Sequence, residues 1–273
     1  MNLKGKKLTI VLPVFNEEGN LGVLLPRLDK LVGKITERMC AVEVILVDDN
    51  STDKTPALLK EACNQYTYVK YLRLSKNSGS HIAIISGLSK SSGDCTVFLA
   101  ADLQDPPELI EELLAKWEEG NDVVWAVRNN IEGISFTTAL FSKLFYRLMN
   151  AWSSVKLPPT GADFALLDKR VAEALVLSAG SNPSLGSLIA WLGFRQTEIR
   201  YTKEARKYGK SKWTLSKKMN ALVDAFVGFS FVPMRLMSYF GFLMAGLGFL
   251  YTAVIFALKI IAGKAIVGWA SIM

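Results

Sequence analysis

The stretch Val42-Glu-Val-Ile-Leu-Val-Asp-Asp-Asn-Ser-Thr-Asp53 decides the fold. Val42–Val47 is apolar and β-branched, and it breaks off into a polar cluster suited to a turn and a helix start. A strand that ends on two acids is a buried strand whose carboxyl end is free for chemistry. The pattern repeats on either side. Leu8–Phe15 is a short apolar run closed by Asn16, which can cap a helix opening on Glu17 and Glu18, acids favoured at a positive helix terminus. Leu21, Leu24, Leu25 and Leu28 follow at helical spacing. Val69–Leu74, Thr96–Ala100 and Val123–Val127 are further strands, with helices over Ile82–Ser89 and Glu108–Trp117. Repeated strand-helix-strand order predicts an α/β fold, a mostly parallel sheet with helices on both faces. Ligands of such sheets sit beyond the strands' carboxyl ends. Asn16 and Glu17, Asp48 and Asp49, Lys76 and Asn77, Asp102 to Asp105, and Arg128 all fall there, on one crevice. No GxGxxG follows the first strand and no GxxxxGK[ST] occurs, which excludes the dinucleotide and P-loop versions of this architecture.

Half of the 273 residues are apolar, enough for a sizeable core and too many for a disordered chain. Apolar and charged runs alternate as far as Tyr208, whereas Leu236–Leu258 carries no charge. As a helix those 23 residues rise about 35 Å, enough to cross a hydrocarbon layer of about 30 Å. Past the fifth strand, Phe136–Trp152 reads as helical, Gly161–Leu167 as extended and Lys169–Ser178 as helical. Leu215, Met219, Leu222, Val223 and Phe226 recur at helical spacing, which predicts an amphipathic helix in the membrane interface, before a span beginning near Pro233. Docking of that helix on the first domain is an equal alternative. The expected division is a cytosolic catalytic domain over 1–208, a basic amphipathic segment over 209–233, a transmembrane helix over 234–262, and over 263–273 the start of a second, truncated span or an interfacial end. Met1–Lys7 runs straight into a strand without a signal peptide, so the first domain is expected on the cytoplasmic side. Cys40, Cys63 and Cys95 are isolated and lack CxxC spacing, which suits a reducing compartment and points to neither zinc nor a disulfide framework.

The formal net charge is +7, and much of the excess lies between Arg195 and Arg235, against the apolar span. Such a flank matches the cytoplasmic side of a membrane helix and is attracted to anionic headgroups; the lipid surface is a nearer polyanion than nucleic acid. Acidic strand ends and a basic tail together fit sugar transfer from a nucleotide diphosphate. A departing diphosphate is served by Mg2+ or Mn2+ on hard oxygen ligands, and Asp102, Gln104 and Asp105 offer such oxygens. Taken alone, carboxylates in such a loop more often cap a helix, and Asp105-Pro-Pro-Glu108 reads as a helix start. A lipid phosphate is already anionic at neutral pH, so as acceptor it needs orientation and charge compensation more than a strong base. Arg206 and Lys212 suit that role, as they suit simple headgroup attraction.

Five strings carry a resemblance: Leu12-Pro-Val-Phe-Asn-Glu-Glu18, Val47-Asp-Asp-Asn-Ser-Thr-Asp53, Ala101-Asp-Leu-Gln-Asp-Pro-Pro-Glu108, Gly161-Ala-Asp-Phe-Ala-Leu-Leu-Asp168 and Arg206-Lys-Tyr-Gly-Lys-Ser-Lys212. In this order, ahead of an apolar span, they resemble the motifs of family 2 glycosyltransferases. The branch they are most similar to contains the dolichol-phosphate mannosyltransferases and bacterial polyprenyl-phosphate glycosyltransferases. The resemblance implies a GT-A fold and inversion at the anomeric carbon. It implies a nucleoside site at Pro13, Phe15, Glu17, Asp48 and Asp49, a metal at Asp102 and Gln104, and phosphate contacts from Arg128, Arg206 and Lys212. Asp163 falls in the stretch placed near the acceptor. The implied catalytic set is Asp102, Asp163, Arg206 and Lys212, the donor a nucleotide sugar (a UDP-hexose first, GDP-mannose second), and the acceptor polyprenyl (undecaprenyl) phosphate. The reaction would serve cell-surface glycan modification at the bacterial cytoplasmic (inner) membrane.

Two positions depart from the family pattern. Ala100 stands where the first aspartate of the metal motif is usual, and Asn50 replaces the glycine of the acidic turn, a substitution asparagine tolerates at positive φ. The first departure keeps open an alternative, a catalytically impaired, membrane-tethered nucleotide-sugar-binding protein. A processive polysaccharide synthase lacks support, since its QxxRW string is absent. His81, the single histidine, has no partners in view for a triad or metal site and reads as a residue that packs or hydrogen-bonds, with contact to the donor sugar as the alternative; Trp125, Trp152, Trp191 and Trp213 read as core or interface. Gly241 and Ala245 form a small-xxx-small pair able to pack spans into a homo-oligomer.

Overall fold

The structure, a computed structural model, describes residues 3–128, 164–180, 185–202 and 232–262. Among them the chain runs β1 (Lys7–Val14), α1 (Glu18–Thr36), β2 (Ala41–Asp48), α2 (Thr55–Gln65), β3 (Val69–Arg73), α3 (Ser80–Leu88) and β4 (Cys95–Phe98). A 3-10 turn (Pro107–Leu109) leads into α4 (Ile110–Glu118), followed by β5 (Val123–Arg128), β6 (Ala165–Asp168), α5 (Lys169–Ser178), α6 (Leu185–Trp191), β7 (Gln196–Tyr201) and α7 (Val232–Ala262). The strands form one sheet of order β3-β2-β1-β4-β6-β5-β7. All neighbours are parallel except β6, which runs antiparallel between β4 and β5.

Strand alternation divides the core into two layers. Leu8, Ile10, Leu12 and Val14 of β1, with Val44 and Leu46 of β2, join α1, α2 and α4 through Leu21, Leu24, Leu28, Leu59, Leu113 and Trp117. The other pleat face turns Val11, Ile45, Val47, Phe98 and Trp125 toward α3, α5 and α6. Each buried aliphatic side chain contributes about 1.5–3 kcal/mol relative to an exposed one, so these layers dominate the stability of the sheet. Gly87 permits α3 to approach β1: a Cβ there would collide with Val11. The expected mostly parallel sheet with helices on both faces is present. The antiparallel β6 was hidden because a strand of four residues, the apolar Ala165-Leu-Leu and Asp168, carries no sign of direction.

Helix α7 is 31 residues long. Arg235–Ile261 is long and apolar enough to cross a membrane, and Phe240, Phe242, Leu243, Phe249 and Leu250 stand exposed along it. Residues 234–262, where the span is expected, lie within this helix. The expected helix over Phe136–Trp152, the amphipathic segment over 209–233 except its last two residues, and the segment 263–273 lie outside the described residues.

Candidate functional site: two laced acidic turns and a metal-type turn

The turn after β1 and the turn after β2 are stitched together by side chains. Asn16, expected to cap α1, does not. It sits in the left-handed region at φ 52°, and Glu17 is the residue at the cap position, without a side-chain cap bond. Asn16 N donates to Ser51 Oγ at 3.0 Å, and Asn16 Oδ1 accepts from Thr52 N at 2.8 Å. Glu17 N donates to Thr55 Oγ1 at 2.9 Å, and Glu18 Oε2 accepts from Lys54 N, also at 2.9 Å. Donors at the start of α1 (Glu17 N, and Glu18 N toward Asp53 Oδ2 at 3.4 Å) and at the start of α2 (Lys54 N) are thus met reciprocally from the neighbouring turn. The Glu17 carboxylate faces its own helix, where it accepts from Asn20 Nδ2.

Asp48 and Asp49 are buried, and their oxygens are engaged by the protein. Asp48 Oδ1 accepts from Ser51 N at 2.8 Å; its Oδ2 accepts from the Tyr71 hydroxyl at 3.2 Å and lies 3.5 Å from Arg73 Nε. Arg73 Nη2 also donates to Asn50 Oδ1 at 3.2 Å and to Ser51 O at 3.1 Å. Asp49 accepts from Ser78 N at 2.6 Å and Gly79 N at 2.8 Å, fixing the loop that enters α3. As the structure stands, both acids build the turn. Asn50 caps that turn at φ 61°, the left-handed conformation anticipated for it.

Tyr71 and Arg73 escaped sequence reading. Their signal was present: β3 pairs parallel with β2, with Leu46 opposite Tyr71 and Asp48 opposite Arg73, so residues two apart on β3 share the face of Asp48.

The turn after β4 carries the metal-type residues. Asp102 and Gln104 are half-buried, and Gln104 N donates to Asp102 Oδ1 at 3.1 Å. Between them Leu103 holds φ 61°, a costly conformation for leucine, with its side chain buried in the α1/α4 layer. Asp105, grouped with these two by spacing, points elsewhere: it is buried and accepts from the Tyr201 hydroxyl at the end of β7. The same hydroxyl is hydrogen-bonded to Arg128 at the end of β5. Burial and then the Asp105 charge push the Tyr201 phenol far up, so it stays a donor.

Among the described residues no group of three or more His, Cys, Asp or Glu gathers to hold a metal. A magnesium-type ion needs only one or two carboxylates beside phosphate oxygens and waters, and Asp102 with Gln104 meets that smaller requirement. Pro13 and Phe15 are half-buried at the end of β1, and Arg128 is half-buried at the end of β5. Asp163, Arg206 and Lys212 lie outside the described residues. Trp125 is core, as expected, and Trp191 is exposed; Trp152 and Trp213 lie outside the described residues.

The mostly parallel sheet gathers acidic turns, a cation-type turn and an arginine at its carboxyl edge. The chain belongs to glycosyl transferase family 2, which it matches over residues 9–176, and it is a glycosyltransferase. It is 36% identical over 265 residues to the glycosyltransferase YkcC of Bacillus subtilis, an alignment covering 97% of this chain and 81% of that one. It is 30% identical over 268 residues to the prophage bactoprenol glucosyl transferase homolog of Escherichia coli, covering 98% and 86%. Among solved structures, the mannosyltransferase PcManGT of Pyrobaculum calidifontis, in complex with GDP-Man and Mn2+, superposes with TM-score 0.56 at 17% identity, over 82% of this chain and 64% of that one. Glucosyl-3-phosphoglycerate synthase of Mycobacterium tuberculosis also gives TM-score 0.56 at 17% identity, over 81% and 78%. At such identities the likeness speaks for the fold, which is of GT-A type.

Proposed function

We propose that the protein transfers a hexose, with inversion, from a nucleotide diphosphate sugar to polyprenyl phosphate at the cytoplasmic face of a bacterial membrane. The observation that carries this reading is a GT-A site and a membrane-length helix, α7, in one chain that aligns over 98% of its length with a bactoprenol glucosyl transferase homolog. That relative's name favours glucose and so a UDP-hexose, with GDP-mannose second.

In this reading the nucleoside lies against Pro13, Phe15 and the backbone of the laced turns. Glu17, Asp48 and Asp49 act by fixing that wall, since their carboxylates are engaged within it. Arg128 faces the diphosphate from the end of β5. Asp102 and Gln104 would hold Mg2+ or Mn2+, which when bound lends Lewis-acid stabilisation to the departing diphosphate. Arg206 and Lys212 offset the charge of the lipid phosphate, Asp163 orients the acceptor, and no strong base is required because the nucleophile is already an anion. The basic segment over 209–233 keeps the catalytic domain, residues 1–208, against the headgroups while 234–262 spans the bilayer.

The test is transfer of radiolabelled sugar from a panel of nucleotide sugars to undecaprenyl phosphate, with and without manganese. Labelling by one donor, lost on Asp102→Ala by on the order of a hundredfold or more, is the expected result. Nucleotide binding without labelling by any donor would replace this reading with the binding-only one that Ala100 motivates.

A further inference from the structure

We propose that Tyr201 is a positioning residue for sugar transfer, its hydroxyl locking the turn that bears Asp102 and Gln104 to Arg128, so that the metal-bearing turn and the phosphate-facing strand end move as one unit. The inference rests on the site reading above. It starts from the turn itself. Leu103 at φ 61° is a conformation leucine does not adopt unaided, so the surroundings must hold it. On one side the Leu103 side chain is buried, and Gln104 N closes on Asp102 Oδ1 at 3.1 Å. On the other, the stiff pair Pro106-Pro107 follows Asp105, and the Asp105 carboxylate is the point at which the turn is tied to the far half of the sheet.

That tie runs through one oxygen. The Tyr201 hydroxyl donates to Asp105 and is hydrogen-bonded by Arg128, which faces Tyr201 across the β5–β7 ladder. The ring stands edge-on to Phe164, 6.2 Å between centroids at 76°, and Phe164 is the neighbour of Asp163 in the chain. Phenylalanine would serve the packing equally well, so the hydroxyl is there for the polar bridge. A buried hydroxyl between a carboxylate and a guanidinium makes charge-assisted bonds, the stronger kind, and they fix where both partners point. Tyr201 also ends β7, five residues before Arg206 in the chain. The bridge thus joins the donor side of the site to the chain that supplies the acceptor side.

The test uses the full chain in detergent, with Tyr201→Phe, Asp105→Asn, Asp105→Ala and the double variant Tyr201→Phe/Asp105→Ala. Three quantities are read: Mn2+ affinity in the presence of UDP, from the paramagnetic resonance of free Mn2+; kcat against donor KM; and the melting temperature. Tyr201→Phe is expected to weaken Mn2+ binding about tenfold and lower kcat about tenfold, with donor KM changed less than about twofold and melting nearly unchanged. Asp105→Ala should match it, Asp105→Asn, which keeps an acceptor oxygen, should recover most of the loss, and the double variant should be no worse than either single one. Wild-type Mn2+ affinity and kcat in Tyr201→Phe would overturn the inference, as would losses that add in the double variant. Should Tyr201→Phe fail to fold, the Asp105 pair decides: equal losses in Asp105→Asn and Asp105→Ala overturn the proposal. Wild-type protein that binds no Mn2+ with UDP would instead overturn the site reading beneath it.

Discussion

Replacing Glu43 by glutamine should remove a specific, pH-dependent part of the stability of the sheet. Glu43 lies on β2 beside the start of β1, at the opposite end of the strands from the site, with its side chain 4% exposed. It accepts from Thr9 Oγ1 at 2.6 Å, Ser92 N at 2.6 Å, Ser92 Oγ at 2.8 Å, Lys70 Nζ at 2.7 Å and Lys7 Nζ at 3.2 Å. Burial, the largest single influence, raises its carboxyl pKa; the bonds from Lys70, Thr9 and Ser92 together outweigh it and bring the group down to about 2, from 4.5. A fall of that size corresponds to about 3 kcal/mol if fully realised. The two lysine side chains are 32% and 57% exposed, and water screens their share, leaving about 1–2 kcal/mol. Because the folded value lies below the unfolded one, this stability is present above pH 4.5 and drains away as the pH falls toward 2. Glutamine keeps one acceptor oxygen but turns an amide nitrogen toward the lysines. Melting temperatures of both proteins should therefore be followed from pH 7 to pH 3. Asp94 and Glu108 are also held below their ordinary values and titrate in both proteins, so the difference between the two is the quantity to read. That difference should shrink as the pH falls; an offset constant across the range would refute the assignment of this stability to an ionised Glu43.

Further outcomes follow from single positions. Ala100→Asp restores a carboxylate at the strand end beside Asp102 and should lower the manganese concentration for half-maximal transfer by about tenfold, read from an activation curve. Gly93→Ala would put a Cβ 2.7 Å from Cys95 O and Thr9 N, backbone atoms that cannot yield, and as close to the Thr9 hydroxyl, and should cost about 1–3 kcal/mol or more by thermal melting. Asn50→Gly should be nearly neutral in stability, since relief of the left-handed backbone offsets the lost Arg73 contact, whereas Asn50→Val should lower the melting point and weaken nucleotide binding together.

Strand positions and the crevice were legible because both rest on local rules. Apolar β-branched runs give strands, and parallel order puts their carboxyl ends on one edge. Helix α5 matched its expected bounds, Lys169–Ser178, while strand ends shifted by a residue or two, as for β4 at Cys95–Phe98. Asn50 was legible for the same reason, as a backbone conformation that few residue types accept. What escaped depends on partners distant in sequence. The direction of β6 is set by the strands on either side of it, and β7, with the alternation Gln196-Thr-Glu-Ile-Arg-Tyr201, hides as a polar edge strand. The family pattern marks Asp48 and Asp49 as site residues, but that their oxygens are spent on Ser51, Tyr71, Ser78 and Gly79 follows only from the packed turns. Asp105 shows the same dependence: spacing groups it with Asp102 and Gln104, while a tyrosine 96 residues away draws it inward.

The antiparallel β6 also sets a timetable for the nascent chain. It fills the gap between β4 and β5, so after Phe98 is made, the β4 edge opposite β1 has no partner until Ala165–Asp168 emerge. At about 5–20 residues per second, that leaves an open sheet edge for on the order of 3–14 seconds. An unpaired edge of buried-type residues is a template for pairing with another chain, and Cys95–Phe98 has no proline or charge to blunt it. Its protection is brevity, four residues, and the last described strand, β7, is complete at Tyr201, before α7 is synthesised. The order of the chain thus lets every described strand of the sheet be made before the apolar helix.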